Sequence, residues 1–435
     1  MHKIKIKNFG PISNVEMEIS DIVFLLGEQA SGKSTIAKLI YFFRTFQEEF
    51  VSLVYTSEFD DWQRNRHVYF ARLRSKFTGT FGLGKGLGRF EIQYTYSSER
   101  YVKVTAFSVG EIGFDVSMVL QGELQSIWKD AKEMQQVIKE GAASKYASII
   151  MEIEENKDLV SRLKNAFNDD ADPIYIPAGR ALLSRQMLLQ LIQGDELRRI
   201  NQRESHKSFD ILDTPTRAYI DEVSRIRGRA YRNDQYIKND PSFRFLDDTA
   251  QGILKGAYTY ANDSDYIRLN DQTLVPIPYS ASGQQEVVWL LNLLRYYAEV
   301  GQRCFIVVEE PEAHLHPDAQ YLLAKFIAAF RNITNSQIFI TTHSPYILTS
   351  FNNLFYADKC GKESENSEAA HRVIPKQCWL RTEDFSAYML EEGTTRDLKD
   401  EELAMVDIAE LDAVASEQDT EYEELLSIRK RGVSD

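Results

Sequence analysis

The chain has 435 residues, of which 43% are hydrophobic and 27% charged, a composition that excludes a disordered or fibrous protein. The formal net charge of −14 is uneven: residues 397–435 hold 13 acidic and 4 basic side chains, so the rest of the chain carries only −5. Global charge therefore does not exclude a nucleic-acid partner.

Membrane and disulfide classes are also disfavoured. No stretch reaches the roughly 18 apolar residues that a spanning helix needs, and no signal-peptide pattern follows Met1. The three cysteines are too few and too scattered for a disulfide framework or a cysteine-based zinc site. We expect a soluble cytoplasmic protein with no membrane partner.

The N-terminal segment predicts a strand, a second strand, a loop and a helix. His2–Phe9 alternates with period two, which is typical of a half-exposed strand. Residues 21–26 form a continuous apolar run, as in a strand buried on both faces. Residues 34–46 place apolar side chains at helical spacing.

The middle of the chain is less regular. Residues 51–89 are rich in arginine and end in a glycine-rich stretch, 79–88, which we interpret as a hairpin connection because a strand follows it and not a helix. The runs 90–96 and 101–107 predict a small antiparallel sheet. Residues 116–170 are helical in pattern, and a short strand at 173–176 ends in Pro177-Ala-Gly-Arg180.

Strand and helix alternate again from residue 279 to 356. The predicted elements are an apolar helix at 286–300, a buried strand at 304–308, a helix at 318–330 and a strand at 337–341. The fold class is therefore α/β, a core of strands and helices split by a mainly helical insertion. The expected units are residues 1–115, the insertion 116–274, a second lobe 275–360 and an acidic extension 361–435.

The segment that follows the second strand fits the pattern G-x-x-x-x-G-K-[ST]. Glycines let the backbone approach phosphate oxygens, and the N–H groups at the helix start point towards them. The lysine would neutralise the β- and γ-phosphates and the serine hydroxyl would bind Mg²⁺. The candidate ATP-binding residues are Gly27, Ala30, Ser31, Gly32, Lys33, Ser34 and Thr35.

Three further elements carry candidate chemistry. The buried strand 304–308 ends in Glu309-Glu310, a pair that suits a metal-side carboxylate followed by a residue that polarises water. Ser282 and Gly283 lie at the start of the apolar helix, where they form either an anion-binding element or a plain N-cap. His343 follows the strand 337–341, at the sheet edge where ligands of open α/β sheets bind.

Together these elements resemble the head of ABC-type, SMC-like ATPases. The runs 309–317, Glu-Glu-Pro-Glu-Ala-His-Leu-His-Pro, and 342–345, Thr-His-Ser-Pro, are similar to the OLD, AAA_15 and AAA_21 branch, which includes ATPase subunits of anti-phage systems such as Septu. The resemblance implies a P-loop ATPase head with an antiparallel β subdomain. It covers residues 1–50 and 275–360 well and the insertion poorly.

The resemblance also implies roles for individual residues. Glu310 is the catalytic residue that aligns water, His343 contacts the γ-phosphate, and Ser34 and Glu309 hold Mg²⁺. Glu309 stands where the family usually has an aspartate, and no glutamine loop is evident. Arg180 is a candidate nucleotide or interface contact, and Asn8 and Phe9 are candidates near the base or ribose. Ser282, Gly283 and Gln285 resemble the signature motif, which acts on ATP held by the opposite subunit.

The implied assembly is a head-to-tail homodimer or higher oligomer with ATP in the interface. A transporter motor is disfavoured by the sequence after residue 308, and a chromosome-organising ATPase by the lack of long heptads. A RecF-like DNA-repair ATPase remains the alternative. We favour an anti-phage ATPase that controls a separate effector, because the stretch after Tyr356 is too short for a TOPRIM nuclease domain.

Two charged segments stay open at this stage. The basic residues 64–76 and 217–232 suit either DNA phosphates or a solvated helix face paired with nearby acids, and we favour the second. The acidic tail, 397–424, has apolar residues spaced as in short amphipathic helices. It would cover a basic effector surface or form a solvated terminus.

Overall fold

The computed structural model describes the chain except residues 58–59, 83–87, 109–110, 142–144, 182–211, 228–239, 263, 363–366, 401–402, 404, 409–419, 423–424 and 426–435. Within the described ranges, no helix combines the length and apolar character needed to cross a membrane.

Strands and helices are distributed along the whole chain. The strands are β1 His2–Phe9, β2 Ile12–Ile19, β3 Ile22–Gly27, β4 Phe90–Ser97, β5 Arg100–Ser108, β6 Glu111–Val116, β7 Asp172–Ile176, β8 Ala257–Ala261, β9 Ser264–Asn270, β10 Thr273–Pro276, β11 Cys304–Glu309, β12 Gln337–Thr341, β13 Phe385–Glu391, β14 Thr394–Asp397, β15 Lys399–Asp400 and β16 Met405–Val406. The helices are α1 Lys33–Arg44, α2 Phe46–Thr56, α3 Trp62–Phe81, α4 Met118–Gly141, α5 Lys145–Ala166, α6 Thr214–Ile226, α7 Pro241–Leu254, α8 Ser282–Val300, α9 Pro317–Thr334, α10 Pro345–Lys362 and α11 Ser367–Val373.

Eleven of the described strands form one mixed sheet in the order β6-β5-β4-β1-β2-β14-β13-β3-β12-β11-β7. The run from β13 to β7 is parallel, and the run from β6 to β2 is antiparallel. In the parallel half, β12 lies between β3 and β11. The carboxyl ends of these three strands therefore meet at one edge, where open α/β sheets bind ligands.

Two apolar layers bury both faces of the sheet at its central strands β3, β11 and β12. Along β3 the side chains alternate: Phe24 packs in the layer that contains α8, α9 and α10, whereas Val23 and Leu25 pack in the layer that contains α1, α2 and α3. A strand that is buried on both faces reads as a continuous apolar run, because neither face needs polar side chains. The α/β fold class expected from the sequence is confirmed.

The glycine-rich stretch begins later than the sequence suggests. Gly79 lies within α3, which runs to Phe81, and Gly82 ends the helix with a left-handed φ of 59°. Residues 84 and 86 lie outside the described residues. The antiparallel hairpin expected at 90–107 is present as β4 and β5.

The segment 116–274 contains more than helices. Its strand β7 is the edge strand of the main sheet, and β8, β9 and β10 form a separate three-stranded sheet. The helical interpretation of 116–170 matches α4 and α5.

The boundary expected at residue 361 does not separate the C-terminal residues from the ATPase sheet. Strand β13 pairs with β3 in parallel, and β14 pairs with β13 and β2. The amphipathic helices expected beyond residue 397 are wrong for Lys399–Asp400 and Met405–Val406, which form the paired strands β15 and β16; Leu398 and Val406 are buried. Residues 411 and 414 of that pattern lie outside the described residues.

Candidate active site

The loop between β3 and α1 is a tight turn with an unusual backbone. Gly27 and Gly32 have φ of 147° and 113°, and Ala30 has φ of 63°. These values lie in regions that favour glycine. A Cβ on Gly27 would lie 2.5 Å from the backbone oxygen of Leu390, and one on Gly32 would lie 2.9 Å from Cγ of Pro11. Both glycines therefore meet a packing requirement as well as a conformational one.

Lys33 opens α1 and is buried. Its Nζ donates hydrogen bonds to the backbone oxygens of Gly27 at 2.8 Å and Glu28 at 2.6 Å. Burial lowers the pKa of Lys33. The negative charges of Glu310, Glu312 and Glu309, at and just after the end of β11, oppose that shift. The Lys33 ammonium group is therefore close enough to these carboxylates to interact with them electrostatically.

The hydroxyl groups of the loop differ in their surroundings. Ser31 Oγ is buried and, among the described residues, has no hydrogen-bond partner, whereas Ser34 is exposed. Gly32 occupies the N-cap of α1. Because glycine has no side chain, the N-cap residue accepts no hydrogen bond from the first N–H groups of the helix through a side chain. Unsatisfied N–H groups at a helix start favour an anion.

Glu309 is the last residue of β11 and is 4% exposed. Its Oε2 accepts a hydrogen bond from the Ala178 N–H at 3.3 Å. Its Oε1 is buried and has no partner within the described part of the chain. An orphaned carboxylate oxygen is a hard ligand of the kind that Mg²⁺ uses, so the donor set fits that ion.

Glu310 faces His343 across the ends of β11 and β12. The backbone of Glu310 has a left-handed φ of 43°, and its N–H donates to the Thr341 oxygen at 2.9 Å. Glu310 Oε1 lies 3.5 Å from His343 Nε2. This contact, supported by the charges of Lys33 and Arg180, lowers the pKa of Glu310. Glu310 is therefore an ionised, half-exposed carboxylate at neutral pH.

Arg180 lies inside the molecule, 0% exposed. Its guanidinium donates to the backbone oxygens of Pro177 at 2.9 Å, Glu309 at 2.7 Å, Glu310 at 3.0 Å and Glu286 at 2.9 Å. This arrangement differs from the nucleotide or interface contact expected from the sequence. It ties the end of β11 to the start of α8.

The signature-like residues lie at the start of α8. Ser282 is exposed. A Cβ on Gly283 would lie 2.6 Å from the backbone oxygen of His314. Gln285 is 2% exposed, and its Nε2 donates to the Ser280 oxygen at 2.7 Å. Gln285 thus shapes the helix start from within.

The structure also places Phe9 and the basic runs, and in the second run Arg225 pairs with Glu222, as in the favoured alternative of a paired helix face. Phe9 is 2% exposed and packs against the rings of Phe77, Phe81 and Phe90, which places it in the core rather than beside a ligand. The basic side chains of α3 contact neighbouring elements: Arg72 donates to the Thr56 hydroxyl at 2.8 Å. Residues 229–232 of the second basic run lie outside the described residues.

The sequence interpretation gave no separate role to Glu312 or Thr342. Glu312 Oε1 accepts hydrogen bonds from the Thr342 hydroxyl at 2.6 Å and from the His343 N–H at 2.9 Å. Both residues lie inside motifs quoted for the resemblance. The sequence gives no sign of the contact between them, because the two residues are 30 positions apart.

A glycine loop at a helix start, a buried acidic strand end and a histidine just after β12, the strand between them, are typical of a P-loop nucleotide-binding site. Residues 1–348 match the family model AAA_15, described as an AAA ATPase domain, and the chain belongs to that family. Comparison with curated proteins gives no match.

Solved structures with weak similarity include three SMC heads. "Crystal structure of the SmcHead bound to the C-winged helix domain of ScpA" aligns at 11% identity and a TM-score of 0.41, over 91% of this chain and 95% of that one. The SMC head domain from Thermotoga maritima aligns at 10% identity and 0.36, over 91% and 97%. An Smc head with an extended coiled coil, bound to a ScpA domain derived from Pyrococcus furiosus, aligns at 11% identity and 0.38, over 96% and 99%. The family assignment rests on the sequence match.

Proposed function

We propose that this protein is an ABC-type ATPase that binds ATP with Mg²⁺ and hydrolyses it. The observation that carries the proposal is the Glu310–His343 contact of 3.5 Å, at the same sheet edge as Lys33 and Glu309. A carboxylate beside a histidine, close to a phosphate loop, suits the alignment of an attacking water. The motifs at 27–35 and 309–317 support ATP as the ligand.

Each side chain has a role that follows from its surroundings. Lys33 and the N–H groups at the start of α1 bind the phosphates. Ser34 and Glu309 would hold Mg²⁺, which would supply charge neutralisation at the phosphates. Glu310 orients the water and accepts its proton, and His343 contacts the γ-phosphate. Arg180 positions the backbone of both glutamates from inside the fold.

We further propose that two chains associate head to tail, with each Ser282 and Gly283 facing the nucleotide of the partner. Ser282 is exposed at the start of α8, so its hydroxyl and the nearby N–H groups are open to a second subunit. Gln285 supports this element through its bond to Ser280. ATP would then stabilise the dimer because it contributes contacts to both subunits.

The biological role that we propose is control of a separate effector, a nuclease or another toxin, in anti-phage defence. The runs 309–317 and 342–345 support it by their resemblance to the ATPases of such systems. Slow hydrolysis suits this role, since a switch requires differential binding to two states and not rapid turnover.

Light scattering on Glu310→Gln, co-expressed with its flanking genes, tests the assembly. We expect the variant to bind ATP but to hydrolyse it at least about 100-fold more slowly than the unaltered protein. ATP should convert it to a dimer that retains a neighbour-encoded toxin or nuclease. Lys33→Ala is the matched control that should stay unchanged by ATP.

Other outcomes separate the parts of the proposal. Absence of ATP hydrolysis by the unaltered protein would contradict the enzyme activity. An ATP-dependent dimer that retains no neighbour-encoded protein and binds added DNA would contradict the effector role and favour direct action on DNA.

A further inference from the structure

The loop that follows β11 contains a carboxylate that the proposed chemistry does not use. Glu312 lies two residues beyond Glu310, and its Oε1 accepts both the Thr342 hydroxyl at 2.6 Å and the His343 N–H at 2.9 Å. Its Oε2 is buried and has no hydrogen-bond partner among the described residues. One carboxyl group thus fixes the residue before His343 and the backbone of His343 itself.

These contacts belong to a closed ring of hydrogen bonds. Thr342 Oγ1 accepts the Ser344 N–H at 3.0 Å, and the Ser344 hydroxyl donates to Gln320 Oε1 at 2.5 Å. Gln320 Nε2 donates to the Leu315 oxygen at 2.9 Å, and the Leu315 N–H returns to the Glu312 oxygen at 2.9 Å. The ring joins the 310–316 loop, the start of α9 and the 342–344 loop.

The same loop also contacts the start of α8. His314 has a left-handed φ of 59°, and its oxygen lies where a Cβ on Gly283 would be only 2.6 Å away. A loop with two left-handed residues, Glu310 and His314, has a strongly constrained path. The position of Glu312 is therefore determined by the surrounding backbone, and Glu312 in turn determines the position of His343.

We propose that Glu312 is a positioning residue for ATP hydrolysis: its Oε1 acts as an acceptor that places His343 beside Glu310. This inference rests on the proposed function and deepens it. The Thr342 hydroxyl and the His343 N–H both donate to Oε1 and need only an acceptor there. The role therefore depends on the oxygen atom and not on the negative charge. A glutamine at 312 supplies the same oxygen.

The test compares Glu312→Gln with Glu312→Ala by steady-state ATP hydrolysis with Mg²⁺. We expect Glu312→Ala to lower kcat by about 10- to 100-fold, the range given by loss of buried hydrogen bonds, while KM for ATP changes less than about 3-fold. Glu312→Gln should keep kcat within about 3-fold of the unaltered protein. The matched control is Glu16→Ala, which removes an exposed carboxylate of β2, far in sequence from residue 312.

A second pair of variants covers the case in which Glu312→Ala does not fold. Thr342→Val removes the hydroxyl and keeps the shape, so we expect it to lower kcat, and Thr342→Ser should restore it. Equal loss in Glu312→Gln and Glu312→Ala would overturn the proposal and show that the charge matters. Unchanged kcat in Glu312→Ala or in Thr342→Val would also overturn it.

The unaltered protein and Glu310→Gln are measured in the same series. If the unaltered protein hydrolyses no ATP, the proposed function fails. If it hydrolyses ATP and Glu310→Gln does not, while Glu312→Ala remains fully active, the positioning role alone fails.

Discussion

Arg180 is a fully buried cation that donates four hydrogen bonds to neighbouring backbone oxygens. It donates to the oxygens of Pro177, Glu286, Glu309 and Glu310, and its Nε lies 3.5 Å from Glu286 Oε2. Removal of one partner of a buried ion pair is costly because the other charge remains desolvated. Glu286 is 2% exposed, so it has no access to compensating water.

We expect Arg180→Met to lower the free energy of unfolding by about 3–5 kcal/mol. The substitution leaves the buried Glu286 carboxylate without its ion-pair partner and four carbonyl oxygens without their donor. Urea denaturation followed by circular dichroism measures the change. Arg74→Met, at an exposed arginine of α3 that donates to the Ile112 oxygen, is the matched control and should cost less than about 0.5 kcal/mol. Equal midpoints for the two variants would contradict the assignment.

At the residue scale, contiguous motifs were predictable and long-range contacts were not. Lys33, Glu309, Glu310 and His343 lie near one sheet edge, because Glu309 ends β11, Glu310 and His343 lie just beyond β11 and β12, and Lys33 opens the helix after the loop that follows β3. The bond from Arg180 to Glu309 spans 129 residues. No local pattern encodes such a partner, since the fold alone brings the two segments together.

At the element scale, the phosphate loop is held between the two ends of the chain. Gly32 faces Pro11 of the β1–β2 turn, and Gly27 faces Leu390 of β13. The sequence pattern identified both glycines through their role at phosphates. It did not reveal that they also permit close packing, because Leu390 lies in a segment that had been assigned to a separate extension.

Gly27→Ala tests whether this packing shapes the loop. The new Cβ would lie 2.5 Å from the Leu390 oxygen, and φ at this position is 147°, so both sterics and backbone conformation oppose the substitution. We expect about 2–4 kcal/mol lower stability, since strain of this kind costs about 1–3 kcal/mol before the clash is added, and at least a 10-fold loss of ATP affinity. Calorimetric melting and equilibrium ATP binding report the two effects.

Gly10→Ala separates strain from clash. Gly10 also has a left-handed φ, 58°, but a Cβ there meets nothing within 4 Å. It should cost about 1 kcal/mol and leave ATP affinity unchanged, because only backbone conformation is affected. If both glycine variants behave alike, close packing against β13 contributes nothing to the loop.

At the scale of the whole molecule, the alternation of strand and helix predicted the parallel half of the sheet because each parallel strand is a short, continuous apolar run. The position of β13 was not predictable in that way. Its alternating burial, with Phe385, Ala387 and Met389 on one face, is typical of any strand, and charge dominates the residues that follow. The neighbour of a strand is chosen by tertiary packing, which periodicity does not record.

Strand β13 makes the C-terminal part of the chain an integral part of the main sheet. It pairs along Phe385–Leu390 with Ile22–Gly27, and β14 connects it to β2, so it joins the antiparallel and parallel halves of the sheet. A chain that ends at residue 362 lacks this strand. It would expose the edge of β3 and the apolar side chains that β13 covers, and an open edge of that kind favours aggregation.

We therefore expect the chain that ends at residue 362 to show no cooperative unfolding transition in urea and to aggregate. A chain that ends at residue 408 keeps β13, β14 and the buried Val406, whose N–H and oxygen bond to the Asn352 side chain, and should unfold cooperatively. Circular dichroism and light scattering on both chains give the comparison. Cooperative unfolding of the shorter chain with bound ATP would show that residues 1–362 form a complete ATPase domain, and would confine β13 to an accessory role.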